Sequence, residues 1–92
     1  MKALEWETID EIILKLSERV KKIRKRRKIS QIELSEQSGV SLGTIKRFEN
    51  TGQISLYSLT RIAVSLNCVD EIRKLFTDVD YLNNEEVFND KR

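Results

Sequence analysis

The spacing of the apolar residues constrains this chain most, because they recur at steps of three and four over much of its length. Ile9, Ile12, Ile13, Leu16, Val20 and Ile23 fall on one side of a helix. Leu56, Leu59, Ile62, Ala63 and Leu66 repeat the pattern further on. No alternation of the kind a half-buried strand needs runs for more than a few residues. Proline is absent, so nothing forbids long helices. The spacing predicts an all-α chain. Its 92 residues are enough for a single domain, 1–92, with one modest core.

Local signals divide the pattern into five helices. Thr8 and Glu11 form a capping box at the start of the first, which runs to about Arg27. Ser30 and Glu33 form a second box, opening a short helix with Leu34 inward and Gly39 at its end. Ser41 caps a third helix from Leu42 to about Asn50, with Ile45 and Phe48 spaced for burial. Thr51, Gly52 and Gln53 form a loop, and Ser55 caps the fourth helix. Asn67 and Cys68 interrupt, and Asp70 opens a fifth helix carrying Ile72, Leu75 and Phe76. After Thr77 the periodicity fades into a short acidic tail, where Tyr81, Leu82, Val87 and Phe88 are scattered among acids and asparagines.

Charge is unevenly placed. Residues 1–18 carry two lysines and five acids, residues 19–61 eleven basic residues and three acids, and residues 62–92 four basic residues and seven acids. A basic centre between acidic ends suggests a polyanionic partner for the middle of the chain. The run from Arg19 to Lys28 reads as a solvated helix face or as a phosphate-contacting surface. A membrane-surface helix is a weaker reading, because the apolar stripe between these charges is needed for the core.

Several chemistries are excluded. There is no histidine, which removes a Ser-His-Asp triad, a histidine-ligated metal and a histidine general base. One cysteine, Cys68, cannot form an internal disulfide and reads as a small buried hydrophobe. No unbroken apolar run exceeds three residues, far short of a membrane span or a signal-peptide core. The expected compartment is the cytoplasm. Ser35, Ser38, Ser41 and Ser58 read as caps and packing positions, and Glu85 and Glu86 as solvated charge. Ile32 reads as a contact to the N-terminal extension or as a lone exposed apolar group, and Trp6 as a staple onto the first helix or a dimer contact. No enzyme, cofactor or metal is expected.

Residues 31–50 carry the functional signal: a short helix, a turn containing Gly39 and a second capped short helix. That is the pattern of a helix-turn-helix, whose second helix enters the DNA major groove. Burial of Leu34, Val40, Ile45 and Phe48 leaves Ser41, Leu42, Gly43, Thr44, Lys46 and Arg47 facing out.

Val20-Lys21-Lys22-Ile23-Arg24, Ser30-Gln31 through Gly39-Val40-Ser41, and Thr44-Ile45 through Phe48-Glu49-Asn50 resemble the Cro/C1-type (XRE) helix-turn-helix family. Ile54 to Leu59 with Ile62-Ala63 continues the resemblance over about residues 16–76. It implies a five-helix, lambda-repressor-like DNA-binding domain, here with an N-terminal helical extension. Gln31 matches a phosphate-binding glutamine that also braces the recognition helix, and Asn50 a backbone-contacting asparagine. Ser41 and Thr44 match outward phosphate or base contacts, with Lys25, Arg26 and Lys28 as further phosphate candidates. Leu42, Gly43 and Arg47, with Lys46, match base-reading positions. Arg24 and Glu49 match an ion pair between helix one and the end of helix three.

The sequence departs from the family at the readers. Leu42 offers only apolar contact and Gly43 no side chain, so Arg47 is the one strong reader, suited to guanine O6 and N7. DNA shape is then expected to carry more of the specificity. The resemblance implies a double-stranded operator, an inverted repeat, a homodimer and repression. The dimer surface is expected on the fifth helix, the tail or the turns before Leu16. More narrowly, Arg47 through Ser55 with Leu75-Phe76 resembles regulators encoded beside HipA-type kinase toxins, which implies an antitoxin role and a toxin partner.

Overall fold

The computed structural model describes residues 6–78 of the chain. Five helices follow in order: α1 (Ile9–Arg26), α2 (Gln31–Ser38), α3 (Leu42–Thr51), α4 (Leu56–Ser65) and α5 (Val69–Arg73). No strand occurs among the described residues. Tyr81, Leu82, Glu85, Glu86, Val87, Phe88 and the rest of the tail lie outside them.

The expected caps form. Thr8 and Glu11 exchange hydrogen bonds, the Glu11 carboxylate accepting from the Thr8 amide at 2.9 Å and the Thr8 hydroxyl from the Glu11 amide at 3.0 Å. Ser30 and Glu33 repeat the arrangement on α2. Ser41 and Ser55 accept from the amides of Thr44 and Ser58. Each satisfies an amide that the first helical turn leaves without a partner. At the far ends, Gly39 and Gly52 adopt the left-handed conformation that closes α2 and α3. Gly52 is doubly constrained: a Cβ there would lie 2.8 Å from the backbone carbon and oxygen of Ile13.

Leu34, Val40, Ile45, Phe48, Ile62 and Leu66 form the core, with Val20, Ile23, Ile29, Ile54, Leu59 and Cys68 packed around it. α3 lies between α1 and α2, and α4 packs on α2 and α5. Each large apolar side chain taken fully out of water contributes about 1.5–3 kcal/mol. Burial thus fixes α3 along the whole line Ile45–Phe48.

Four expectations are corrected. The fifth helix ends at Arg73, so Leu75 and Phe76 lie in the turns beyond it; both are exposed, and Phe76 has a positive φ of 66°. Leu56 points outward, although it continues the spacing of α4. Trp6 is 80% exposed and does not staple onto α1. Cys68 is only half-buried, at the start of α5. A further difference concerns α1, whose N-terminal apolar residues Ile9, Ile12 and Leu16 remain exposed. Length explains it. An 18-residue helix spans about 27 Å and ten-residue helices such as α3 and α4 about 15 Å, so they cover only part of it.

Candidate nucleic-acid interface

α3 is amphipathic in charge as well as in hydropathy. Its one acid, Glu49, is turned inward and is 6% exposed, while Lys46, Arg47 and Asn50 are exposed on the other side. Ser41 and Gly43 are exposed too, and Leu42 and Thr44 are half-buried. The outward face of α3 therefore presents two cations and no carboxylate.

Glu49 anchors this face. Arg24, 7% exposed on α1, donates from Nε to Glu49 Oε2 at 2.7 Å and from Nη2 to Oε1 at 3.0 Å. Its remaining Nη1 donates to the Ile29 carbonyl at 2.7 Å, which pins the turn between α1 and α2. Gln31, at the start of α2, donates from Nε2 to Glu49 Oε1 at 2.8 Å. One carboxylate thus ties three elements together through charge-assisted bonds. Burial by itself raises the Glu49 pKa, but hydrogen bonds from Arg24 and Gln31, with the charges of Arg24 and Lys21, outweigh it and hold the group below its ordinary value of 4.5.

The N-terminal end of α3 is set by hydroxyl chemistry. Ser41 Oγ donates to Thr44 Oγ1 at 2.8 Å while accepting from the Thr44 amide at 3.1 Å. A hydroxyl that accepts, as Thr44 does here, keeps its own O–H for an outside acceptor. Thr44 and Arg47 also border a shallow depression of about 380 Å³, completed by Gln53, Ile54, Ser55 and Ser58. Its rim combines a guanidinium, an amide and hydroxyls, a donor-rich set suited to an anion such as phosphate. Lys25, Arg26 and Lys28 are exposed at the end of α1 and form no ion pair among the described residues.

Sequence reasoning misses two features. Arg61 on α4 donates from Nε to the Ser38 carbonyl at 2.7 Å and from Nη1 to Tyr57 Oη at 3.0 Å. It closes the C-terminal end of α2 next to Gly39, where a Cβ would meet its guanidinium. Gln53, Ser55 and Ser58 read in the sequence as loop and cap positions, yet they stand beside Arg47. No local signal marks either feature, because both depend on how α4 packs.

The geometry is that of two short helices joined by a tight turn, with the second presenting a cationic outer face. A helix-turn-helix family model matches residues 20–71, more than half of the chain. A search of curated proteins returns no match. Among the described residues no helix is long and apolar enough to cross a membrane. The match and the fold agree that this chain belongs to the Cro/C1-type helix-turn-helix family of DNA-binding transcriptional regulators.

Proposed function

We propose that the protein is an operator-occupying repressor that binds double-stranded DNA as a homodimer on an inverted repeat. The observation that carries this reading is the outward face of α3: Lys46, Arg47 and Asn50 are exposed, and the helix behind them is locked by Glu49. Arg47 is the principal base reader, with Lys46, Leu42 and Gly43 secondary. Gln31, Ser41, Thr44 and Asn50, with Lys25, Arg26 and Lys28 beside them, contact phosphates. Gln31 does so while its amide nitrogen stays on Glu49, leaving its second N–H for the backbone. A single helix reads only a few base pairs, so two copies with half-sites about 34 Å apart supply the necessary length.

The test is binding to the DNA upstream of the protein's own reading frame, against a scrambled duplex, at about 50 and 200 mM salt. Preference for the native duplex by about 10³ or more, with a steep loss of affinity at the higher salt, supports the repressor reading. Equal binding to both duplexes overturns it.

A second role, neutralising a partner toxin, is favoured by Leu75 and Phe76, which are exposed just before the acidic tail. Co-purification with a kinase encoded next to the gene would support it.

A further inference from the structure

Once Ile13, which lies against Gly52, is set apart, the apolar stripe of α1 is a palindrome. Ile9, Ile12, Leu16, Val20 and Ile23 are separated by three, four, four and three residues, so the spacing reads the same in both directions from Leu16. The structure treats the two halves differently. Ile9 and Ile12 form an exposed ridge, the former 77% accessible. Val20 and Ile23 form one wall of a groove of about 460 Å³, whose other sides include Leu59 of α4, Ile72 of α5 and Leu75. Leu16 belongs to both the ridge and the groove.

We propose that α1 pairs antiparallel with α1 of a second copy of this chain, about a two-fold axis at Leu16, each ridge lying in the other's groove. The proposal rests on the homodimer reading above and names the surface involved. A two-fold interface must be self-complementary, with one surface supplying both the knob and the hole. Here ridge and groove abut, and the palindrome sets Ile9 against the partner's Ile23 and Ile12 against the partner's Val20.

Charge favours the same direction at long range, although most of these side chains lie off the apolar stripe, Asp10 and Glu11 bordering a depression with Thr51 and Gln53. The ridge half of α1, with the residues just before it, carries Glu7, Asp10 and Glu11 against a single Lys15, which pairs with Glu7. The groove half carries Arg19, Lys21 and Lys22, apart from Lys25 and Arg26 at its phosphate-contacting end, with Glu18 its one acid and Arg24 held on Glu49; Arg19 and Glu71 of α5 line the groove itself. Antiparallel pairing lays the acidic half of one copy along the basic half of the other, whereas parallel pairing sets like against like. None of the groove residues belongs to the outward face of α3, so this pairing leaves that face free.

The experiment uses the full chain. Sedimentation equilibrium of the wild type is expected to show a dimer without DNA. Ile9→Asp with Ile12→Asp changes residues exposed in the monomer, so the thermal melt of the diluted protein should be retained. The dimer dissociation constant should rise by about 100-fold or more. In a Cys68→Ser background, Leu16→Cys should be linked into a covalent dimer by a short bis-maleimide. Ile9→Cys should not, because antiparallel pairing separates its two copies by about 21 Å.

A wild type that stays monomeric, a dimer that survives both aspartates, or efficient self-linking by Ile9→Cys would each overturn the proposal. Dimerisation that appears only when residues 79–92 are deleted would also overturn it, by assigning the groove to that segment. The repressor reading fails separately, through the scrambled-duplex comparison. A double-aspartate variant that binds an isolated half-site like the wild type, but loses its advantage on the full repeat, supports both.

Discussion

Arg24 and Glu49 meet side-on, with Nε and Nη2 of the guanidinium each holding one carboxylate oxygen, at 2.7 and 3.0 Å. The pair joins α1 to the inner side of α3, and both residues are buried. Removing one partner strands a buried charge. Glu49→Gln is expected to lower unfolding stability by about 3–5 kcal/mol, read by urea denaturation. Arg24→Met combined with Glu49→Leu should cost less than Glu49→Gln alone, since neither charge is then left unpaired. A single variant as stable as the wild type would refute this.

The same carboxylate sets a pH dependence. Its folded pKa lies below its ordinary value of 4.5, so the native state favours the ionised form. The stability it contributes is complete above that ordinary value and is lost as pH falls through the lower, folded one. The melting temperature of wild type minus that of Glu49→Gln should therefore be constant near neutrality and shrink below about pH 4.5. A difference that grows on acidification would contradict the assignment.

Two glycines should respond oppositely to alanine. At Gly52, φ is +84° and a Cβ would meet the Ile13 backbone at 2.8 Å. Gly52→Ala is expected to destabilise by about 1–3 kcal/mol, because both the conformation and the contact resist it. At Gly43 nothing beyond its chain neighbours and its own helix backbone lies within 4 Å of the position a Cβ would take, and the residue is in the first turn of α3. Gly43→Ala should raise stability by about 0.5–1 kcal/mol. Thermal melts of the two variants decide the matter.

Base contact and phosphate contact should separate in binding assays. Arg47→Ala is expected to relax preference at one base pair, by about 1–3 kcal/mol, and to leave the melt unchanged because the side chain is exposed. Lys25→Ala or Lys28→Ala should weaken binding uniformly across sequences and reduce the salt slope by about one. A site selection that returns an unaltered preference for Arg47→Ala would remove it from the readers.

Helix starts are legible in the sequence because caps are local: Thr8 with Glu11, Ser30 with Glu33, and the lone serines at 41 and 55 depend only on neighbours within a turn. The Arg24–Glu49 pair is legible only through the family resemblance, being separated by 25 residues. The fate of a stripe is not local. Ile9 and Ile23 look alike in sequence, yet only Ile23 has other helices beside it. Leu75 and Phe76 continue the spacing of α5, but the helix stops at Arg73 and leaves them outside. Within the interface, the resemblance picks out α3's outward residues, while Arg61 and the neighbours of Arg47 emerge only from the packing of α4.

Glu49 and Arg47 are two residues apart on one helix, one buried and the other in solvent. What mounts α3 and what α3 displays are therefore different sets of side chains. If Lys46 and Arg47 read bases as proposed, substitutions there leave the mount untouched, so DNA preference can drift through many mutational steps without loss of folding. A lineage built on this scaffold is free to acquire new target sites one exposed residue at a time.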